Sequence, residues 1–122
     1  MAATISDEVF DAALNYLETN GTRVDICSAS PTNWAGLAAV TLGNKTGCTY
    51  TGPADHTSGR KTSLDAITDG EVTDSDDATH FCISNGSDTV YIIQELSSSE
   101  AVTDGAEFSL TACIIAIPDP TA

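Results

Sequence analysis

The period of the apolar residues changes at Gly21, and this change constrains the fold more than any other feature of the chain. Before Gly21, apolar side chains recur at the spacing of one buried helix face, with Phe10, Leu14 and Leu17 in register. After it, apolar and polar residues alternate in short runs separated by turn signals. The pattern predicts a mainly β fold, an antiparallel β-sandwich or barrel of about seven or eight strands with one N-terminal amphipathic helix.

The helix is predicted over about residues 6–19, within a single domain that spans 1–122. Ser6 is a preferred N-cap, and Gly21 supplies the stop because glycine reaches the left-handed conformation at low cost. A helix of about 13 residues is not stable alone in water, so we expect it to lie on a sheet or on a partner. Strands are expected from about 22 to 117, followed by a short Pro-containing C-terminal tail.

Seven runs have the composition and spacing of strands. They are residues 22–28, 37–42, 60–67, 71–73, 78–83, 89–96 and 107–117. The pair Asn85-Gly86 is the sharpest turn signal and predicts a two-residue hairpin loop, which places Phe81 opposite Val90. The last run becomes apolar on both faces toward its carboxyl end, so we expect it centrally in the core or against another subunit.

The charge of the chain excludes one class of partner. The sequence has 18 acidic and 4 basic side chains, a formal net charge of −14. A protein that grips nucleic acid uses Lys and Arg to displace counterions from phosphates. The field of this chain would repel DNA, RNA and anionic lipid, so we expect neither nucleic acid nor a membrane as a partner.

The N-terminus and the cysteines indicate the compartment. Residues 1–8 lack a basic n-region and an apolar h-region, which predicts synthesis in the cytosol. No apolar segment is nearly as long as the roughly 20 residues that a helix needs to cross a bilayer. The four cysteines are then expected to be reduced, and none forms a Cys-x-x-Cys pair, so we expect neither a metal site nor a cofactor.

Candidate catalytic groups are few. His80 stands two residues before Cys82, about 7 Å away along a strand, which is too far for direct proton transfer. The densest acidic run, residues 65–77, fails the EF-hand pattern, because the sixth and twelfth positions counted from Asp74 hold Thr79 and Asn85 instead of glycine and glutamate. A solvated acidic loop and an irregular cation site both remain open there. We expect the chain not to be an enzyme.

A succession of short motifs along nearly the whole chain resembles one known family. The motifs are Ala12-Ala13-Leu14-Asn15-Tyr16-Leu17, residues 20–28, Leu42-Gly43-Asn44-Lys45, Ser58-Gly59-Arg60-Lys61, residues 66–70, Ala78-Thr79-His80-Phe81 and Ile117-Pro118-Asp119-Pro120. Together they resemble small virion proteins of tailed bacteriophages, notably those of marine and soil alphaproteobacteria. Two positions depart from the family pattern, which has Trp where Phe81 stands and an acidic residue near Cys113.

The resemblance implies a capsid decoration or cement protein with no catalytic role. Such a protein, made in the cytoplasm of the host bacterium, would sit on the outer capsid surface of the virion and bind the major capsid protein. It would tie neighbouring capsomers together, most economically as a homotrimer at local three-fold positions. A tail- or head-fibre component involved in host recognition is the alternative.

On this interpretation, two apolar surfaces of the chain form the interface. The expected contact residues are Phe10, Leu14 and Leu17 of the helix face and Ile114, Ile115 and Ile117 of the last predicted strand. The basic residues Arg23, Lys45, Arg60 and Lys61 are candidates for pairing with carboxylates of the shell. Exposed solubilising charge is the alternative role for these four.

Overall fold

The computed structural model describes residues 5–119, which form nine strands in two antiparallel sheets, an N-terminal helix and a second helix of a single turn. The helices are α1 (Asp7–Asn20) and α2 (Trp34–Leu37). The strands are β1 (Arg23–Cys27), β2 (Thr41–Lys45), β3 (Tyr50–Asp55), β4 (Arg60–Leu64), β5 (Ile67–Val72), β6 (Asp76–Ser84), β7 (Val90–Val102), β8 (Glu107–Leu110) and β9 (Cys113–Ile117). The predicted mainly β class is confirmed.

The two sheets differ in size and enclose the main core. The larger sheet has six strands in the order β7-β6-β1-β2-β5-β8 and curls into a half-barrel. The smaller sheet has three strands in the order β3-β4-β9, and α1 packs against β3 and β4. The core draws Leu17 from α1, Ile26 from β1, Leu64 from β4 and Phe108 from β8, so helix and both sheets share one apolar interior.

β1 is a central strand that is buried on both faces. Val24 and Ile26 face the main core, as the alternation of the sequence predicts. On the other face, Cys27 packs with Leu37 and Cys82 in a second, smaller cluster beneath α2. The α2 segment therefore covers a sheet face that would otherwise meet water.

The predicted strand 37–42 is wrong in its first half. Asn33 caps a helical turn there, because its side-chain oxygen accepts a hydrogen bond from the Gly36 amide at 2.8 Å. The turn buries Leu37, and β2 begins only at Thr41. The prediction also omitted β3, whose pairing with β4 is irregular at Gly52 and Pro53.

The caps of α1 differ from the predicted ones, although its limits lie within one residue of the prediction. The side chain of Ser6 makes no capping hydrogen bond; its backbone oxygen accepts from the amides of Val9 and Phe10 instead. Gly21 has a φ of −82° and so is not left-handed. Glycine is needed at this position because a Cβ would lie only 2.7 Å from the Tyr50 hydroxyl oxygen.

The β6–β7 hairpin has another register than the one predicted. Ile83 pairs with Ile92, so the predicted pairing of Phe81 with Val90 is wrong. The loop is longer than two residues because the Asn85 side chain organises it through hydrogen bonds to three following amides. β7 also continues through the serine run at 97–99, beyond the predicted strand end at 96.

The predicted strand 107–117 is two strands in different sheets. β8 ends at Leu110 and pairs with β5, whereas β9 begins at Cys113 and pairs with β4. The chain crosses from the larger sheet to the smaller one at residues 111–112. Both strands are terminal in their sheets, so the expected central position in the core is corrected to an edge.

Candidate interaction surface

The apolar face of α1 packs inside the chain. Phe10, Leu14 and Leu17 are only 4 %, 2 % and 7 % exposed, so they are core residues. The prediction that they contact another chain is therefore wrong. Polar contacts also hold this side of the helix: Thr62 Oγ1 donates to Glu18 Oε2 at 2.7 Å. The helix thus uses its sheet, rather than a partner, to cover its buried face.

Arg60 joins α1 to the smaller sheet. Its Nε and Nη2 donate to the Asp11 carboxylate at 2.9 and 3.1 Å, and its Nη1 donates to Asp55 at 2.6 Å. Asp7 lies 3.9 Å from the guanidinium. The hydrogen bonds to Asp11 and Asp55 raise the pKa of Arg60 above its ordinary value. Arg60 is therefore engaged within the chain and not available to carboxylates of a partner.

Arg23 is engaged in the same way. Its Nε and Nη2 donate to the fully buried Asp25 carboxylate at 2.8 and 2.9 Å. The Thr41 hydroxyl donates to the same carboxylate at 2.7 Å, and the Trp34 ring centre lies 5.5 Å from the guanidinium carbon. Hydrogen bonding to the Asp25 carboxylate is the main cause that raises the pKa of Arg23 above its ordinary value. Arg23 and Asp25 therefore form an ion pair within the chain, on the face of β1 opposite the main core.

The two lysines differ from the arginines. Lys45 Nζ lies 3.0 Å from Asp69 Oδ2 in a solvent-exposed pair, which holds the lysine only weakly. Lys61 forms no ion pair with any of residues 5–119. Of the four predicted contact cations, Lys61 is thus the one that this part of the chain leaves without a carboxylate.

Lys61 and Ile114 lie on the same side of the smaller sheet. In the β4–β9 ladder, Lys61 is opposite Ala116 and Ser63 is opposite Ile114, and paired residues of an antiparallel ladder project to one side. The other side of β4 faces α1. Ile114 is 55 % exposed. We call the surface formed by Lys61, Ser63, Ile114 and Ala116 the outer face.

The remaining two predicted isoleucines lie on the opposite side of β9, at an apolar groove between α1, β7 and β9. The groove has a volume of about 300 Å³. Its lining residues are Ala13, Leu14, Tyr16, Leu17, Tyr91, Ile92, Ile115, Ala116 and Ile117. Because Ile115 also packs against the main core, the structure separates the three isoleucines onto two surfaces.

Two exposed apolar residues of α1 were missing from the sequence prediction. Val9 and Tyr16 are 57 % and 60 % exposed, and the Tyr16 ring meets the Tyr91 ring edge to face with centroids 5.8 Å apart. Together with Ala13 they follow the i, i+4, i+7 spacing of a second apolar stripe, beside the buried one. That stripe is the sequence signal that identifies them, and two of its members, Ala13 and Tyr16, line the apolar groove.

The groups considered for catalysis are held in structural contacts. The His80 Nδ1 lies 2.8 Å from the Thr79 hydroxyl oxygen, and His80 is paired with Glu95 across the β6–β7 ladder. Cys82 is fully buried beside Cys27. The hydrogen bond with Cys82 and burial raise the pKa of the Cys27 thiol. The same hydrogen bond lowers the pKa of the Cys82 thiol. Both thiols are completely buried, so the pair contributes to packing.

The acidic run 65–77 is not one loop, because it contains β5 and the start of β6. The Asp65 carboxylate accepts hydrogen bonds from the Thr49 and Thr51 hydroxyls at 2.6 and 2.7 Å, which lower the pKa of that carboxyl group. Asp69 pairs with Lys45. Among residues 5–119, no group of three or more His, Cys, Asp or Glu side chains is arranged to hold a metal ion.

Comparison with protein-family models, curated proteins and solved structures gave no match for this chain. In the part of the chain that the structure describes, no helix combines the length and the apolar character that a membrane crossing requires. Geometry therefore defines the candidate surfaces, which are the outer face and the apolar groove.

Proposed function

We propose that this chain is a virion structural protein of a tailed bacteriophage, a capsid decoration or cement protein that binds the outer shell and stabilises contacts between capsomers. The succession of motifs along the sequence supports the family. The proposed mode of binding rests on Ile114, a large apolar side chain that is 55 % exposed on the edge strand of a sheet.

The outer face has the chemistry of a small contact patch. Ile114 supplies an apolar centre, and burial of such a side chain contributes about 1.5–3 kcal/mol. Lys61, two residues before Ser63 on the neighbouring strand, supplies a charge that can pair with a carboxylate of the major capsid protein. The strands beneath are fixed by ladder pairing from residue 60 to residue 64, so the patch is presented on a rigid element.

Assembly on the shell follows from the charge of the chain. Copies that each carry a charge of −14 repel one another in solution, which disfavours a free trimer at low ionic strength. A ring of three copies at a local three-fold position is formed when each copy is held by the shell. A protein that binds assembled shells but not dispersed subunits stabilises the shell by mass action.

Loading of variants onto undecorated shells tests the proposed contact. Ile114→Asp places a charge in the centre of the outer face, and we expect loading at least about tenfold weaker than wild type. Val9→Asp is the matched control, since it makes the same substitution class at a residue of equal exposure on α1. Circular dichroism should show both variants folded. Wild-type loading of Ile114→Asp would remove the outer face as the contact.

Copy number tests the shell role itself. Gel densitometry of purified particles should give on the order of hundreds of copies per virion, because a decoration protein repeats with the capsid lattice. A handful of copies would favour the fibre component instead. Absence from purified particles would overturn the virion assignment altogether.

A further inference from the structure

β7 has a free edge along its whole length. It is the longest of the described strands, with 13 residues, and it is terminal in the larger sheet. One of its edges pairs with β6. The other edge forms no ladder with any strand of residues 5–119. Its amide and carbonyl groups are therefore open to a further strand.

This free edge faces the segment 107–117 across a gap, which we call the seam. At one end, residues 91–92 and 115–117 share the apolar groove. In the middle, residues 96–98 and 109–111 line a cavity of about 180 Å³. At the other end, residues 100–102 and 107–109 line one of about 320 Å³. Residue numbers rise along one wall as they fall along the other, so the two walls run antiparallel and the three cavities lie in order between them.

Both walls of the seam are sheet edges. Among residues 5–119, β8 pairs only with β5 and β9 only with β4, so the second wall also ends a ladder in each sheet. An extended segment placed between the walls would be antiparallel to one and parallel to the other, whichever way it enters. It would join the edges of the half-barrel and the smaller sheet, which is recognition by strand addition.

The chemistry of the seam changes from one end to the other. The apolar groove has Ile92 and Ile115 on its walls, and none of its lining residues within 5–119 is charged. The middle is rich in serine. At the far end the charged lining residues are Glu100 and Glu107, and none of the described residues that line the three cavities is basic. A segment that fits this gradient is apolar at one end and basic at the other.

We propose that the seam binds an extended segment of a different, positively charged protein. Its apolar residues enter the groove, and its Lys or Arg side chains lie opposite Glu100 and Glu107. A second copy of this chain is disfavoured as the occupant because it carries the same charge of −14. The inference does not depend on the shell role, since it rests on the edge of β7 and on Glu100 and Glu107, not on Lys61 or Ile114.

Selection of peptides tests the proposal. Random peptides of about ten residues, displayed on ribosomes, are selected on the immobilised full chain, and an unrelated protein of similar negative charge serves as the counter-selection. We expect enriched peptides with alternating apolar residues and with Lys or Arg toward one end. Amide hydrogen exchange of the complex should show protection along residues 90–102. Enrichment of acidic peptides, no enrichment over the counter-selection, or protection confined to another edge such as β3 would overturn the proposal.

A matched pair of charge reversals tests the orientation of the bound peptide. Glu100→Lys and Glu8→Lys change the net charge equally, but only Glu100 lines the seam. We expect the affinity for the selected peptide to fall roughly fivefold in Glu100→Lys and less than about twofold in Glu8→Lys. An equal effect would contradict the placement of the basic end. Sedimentation and amide hydrogen exchange of the free chain complete the test. If the chain associates with itself and residues 90–102 become protected, the occupant is a second copy and the proposal is overturned.

Discussion

Asp25 shows at the scale of one residue how this fold uses charge. The carboxylate is fully buried and accepts three hydrogen bonds, two from Arg23 and one from the Thr41 hydroxyl. Its position in the alternation of β1 was evident from the sequence. Its burial was not, because the cover over that strand face comes from α2, which sequence periodicity does not reveal in a segment of four residues.

Replacement of Asp25 should destabilise the fold strongly. Asp25→Asn keeps the shape of the side chain but removes the charge that the Arg23 guanidinium and the Thr41 hydroxyl contact. We expect the free energy of unfolding to fall by about 2–3 kcal/mol, since charge-assisted hydrogen bonds in a buried site are lost. Urea unfolding followed by circular dichroism measures this change.

The exposed pair of Lys45 and Asp69 provides the comparison for Asp25. Asp69→Asn removes a salt bridge of similar length, 3.0 Å, but both side chains are solvated. We expect a change of less than about 0.5 kcal/mol. Losses of equal size in the two variants would show that burial of Asp25 contributes nothing to its role.

At the scale of elements, Arg60 is the link that orients α1. Three carboxylates surround its guanidinium, Asp7 and Asp11 from the helix and Asp55 from β3. In Arg60→Gln these carboxylates would repel one another without a counter-charge. We expect a lower midpoint of thermal unfolding and faster amide exchange in the first turns of α1. Differential scanning calorimetry and hydrogen exchange measure the two effects.

Lys61→Gln is the control for Arg60, because it removes one positive charge from the next residue of the same strand. Lys61 has no ion pair within residues 5–119, so we expect almost no change in the midpoint. An equal decrease in both variants would mean that net charge, rather than the helix contact, determines the loss.

The sequence predicted elements better than it predicted their pairing. The helix and β1 follow strong periodicity and were predicted closely, whereas the β6–β7 register was wrong. Asn85 explains the error: its Oδ1 accepts from the amides of Ser87, Asp88 and Thr89, and its Nδ2 donates to Asp88 at 2.7 Å. A side chain that bonds its own loop lengthens the turn, and a dipeptide rule for Asn-Gly does not include this.

The division of 107–117 into β8 and β9 was also not predicted, because it depends on how the strands are shared between the two sheets. The residues at 111–112 carry neither Gly nor Pro, so the sequence offers no break. The break arises because β8 must end the larger sheet and β9 the smaller one. Sheet membership depends on partners distant in sequence, which periodicity within one segment does not encode.

At the scale of the whole molecule, the candidate surfaces were predictable only in part. The exposure of Ile114 and its position beside Lys61 follow from the β4–β9 register, which joins residues about 50 positions apart. Sequence alone grouped Ile114 with Ile115 and with the face of α1. The structure assigns the helix face to the core and Ile115 to the seam, so tertiary pairing, rather than composition, decides which apolar residues remain outside.

The net charge of −14 should make the stability of the whole molecule depend on salt. Ion pairs within residues 5–119 involve five of the eighteen carboxylates, so mutual repulsion outweighs attraction across the surface. Screening weakens both effects, and the larger one is repulsion. We therefore expect the midpoint of thermal unfolding to rise by about 4–6 °C between low salt and about 0.5 M sodium chloride, which corresponds to about 1 kcal/mol.

The shape of that salt dependence separates screening from other effects of the salt. Screening follows the Debye length, which shortens from about 30 Å at 0.01 M to about 10 Å at 0.1 M, so most of the rise should occur below about 0.2 M. A rise that continues in proportion to concentration would indicate a general effect on apolar burial instead. A midpoint that falls with salt would show that the Arg60 and Arg23 ion pairs outweigh the repulsion, contrary to the expectation from net charge.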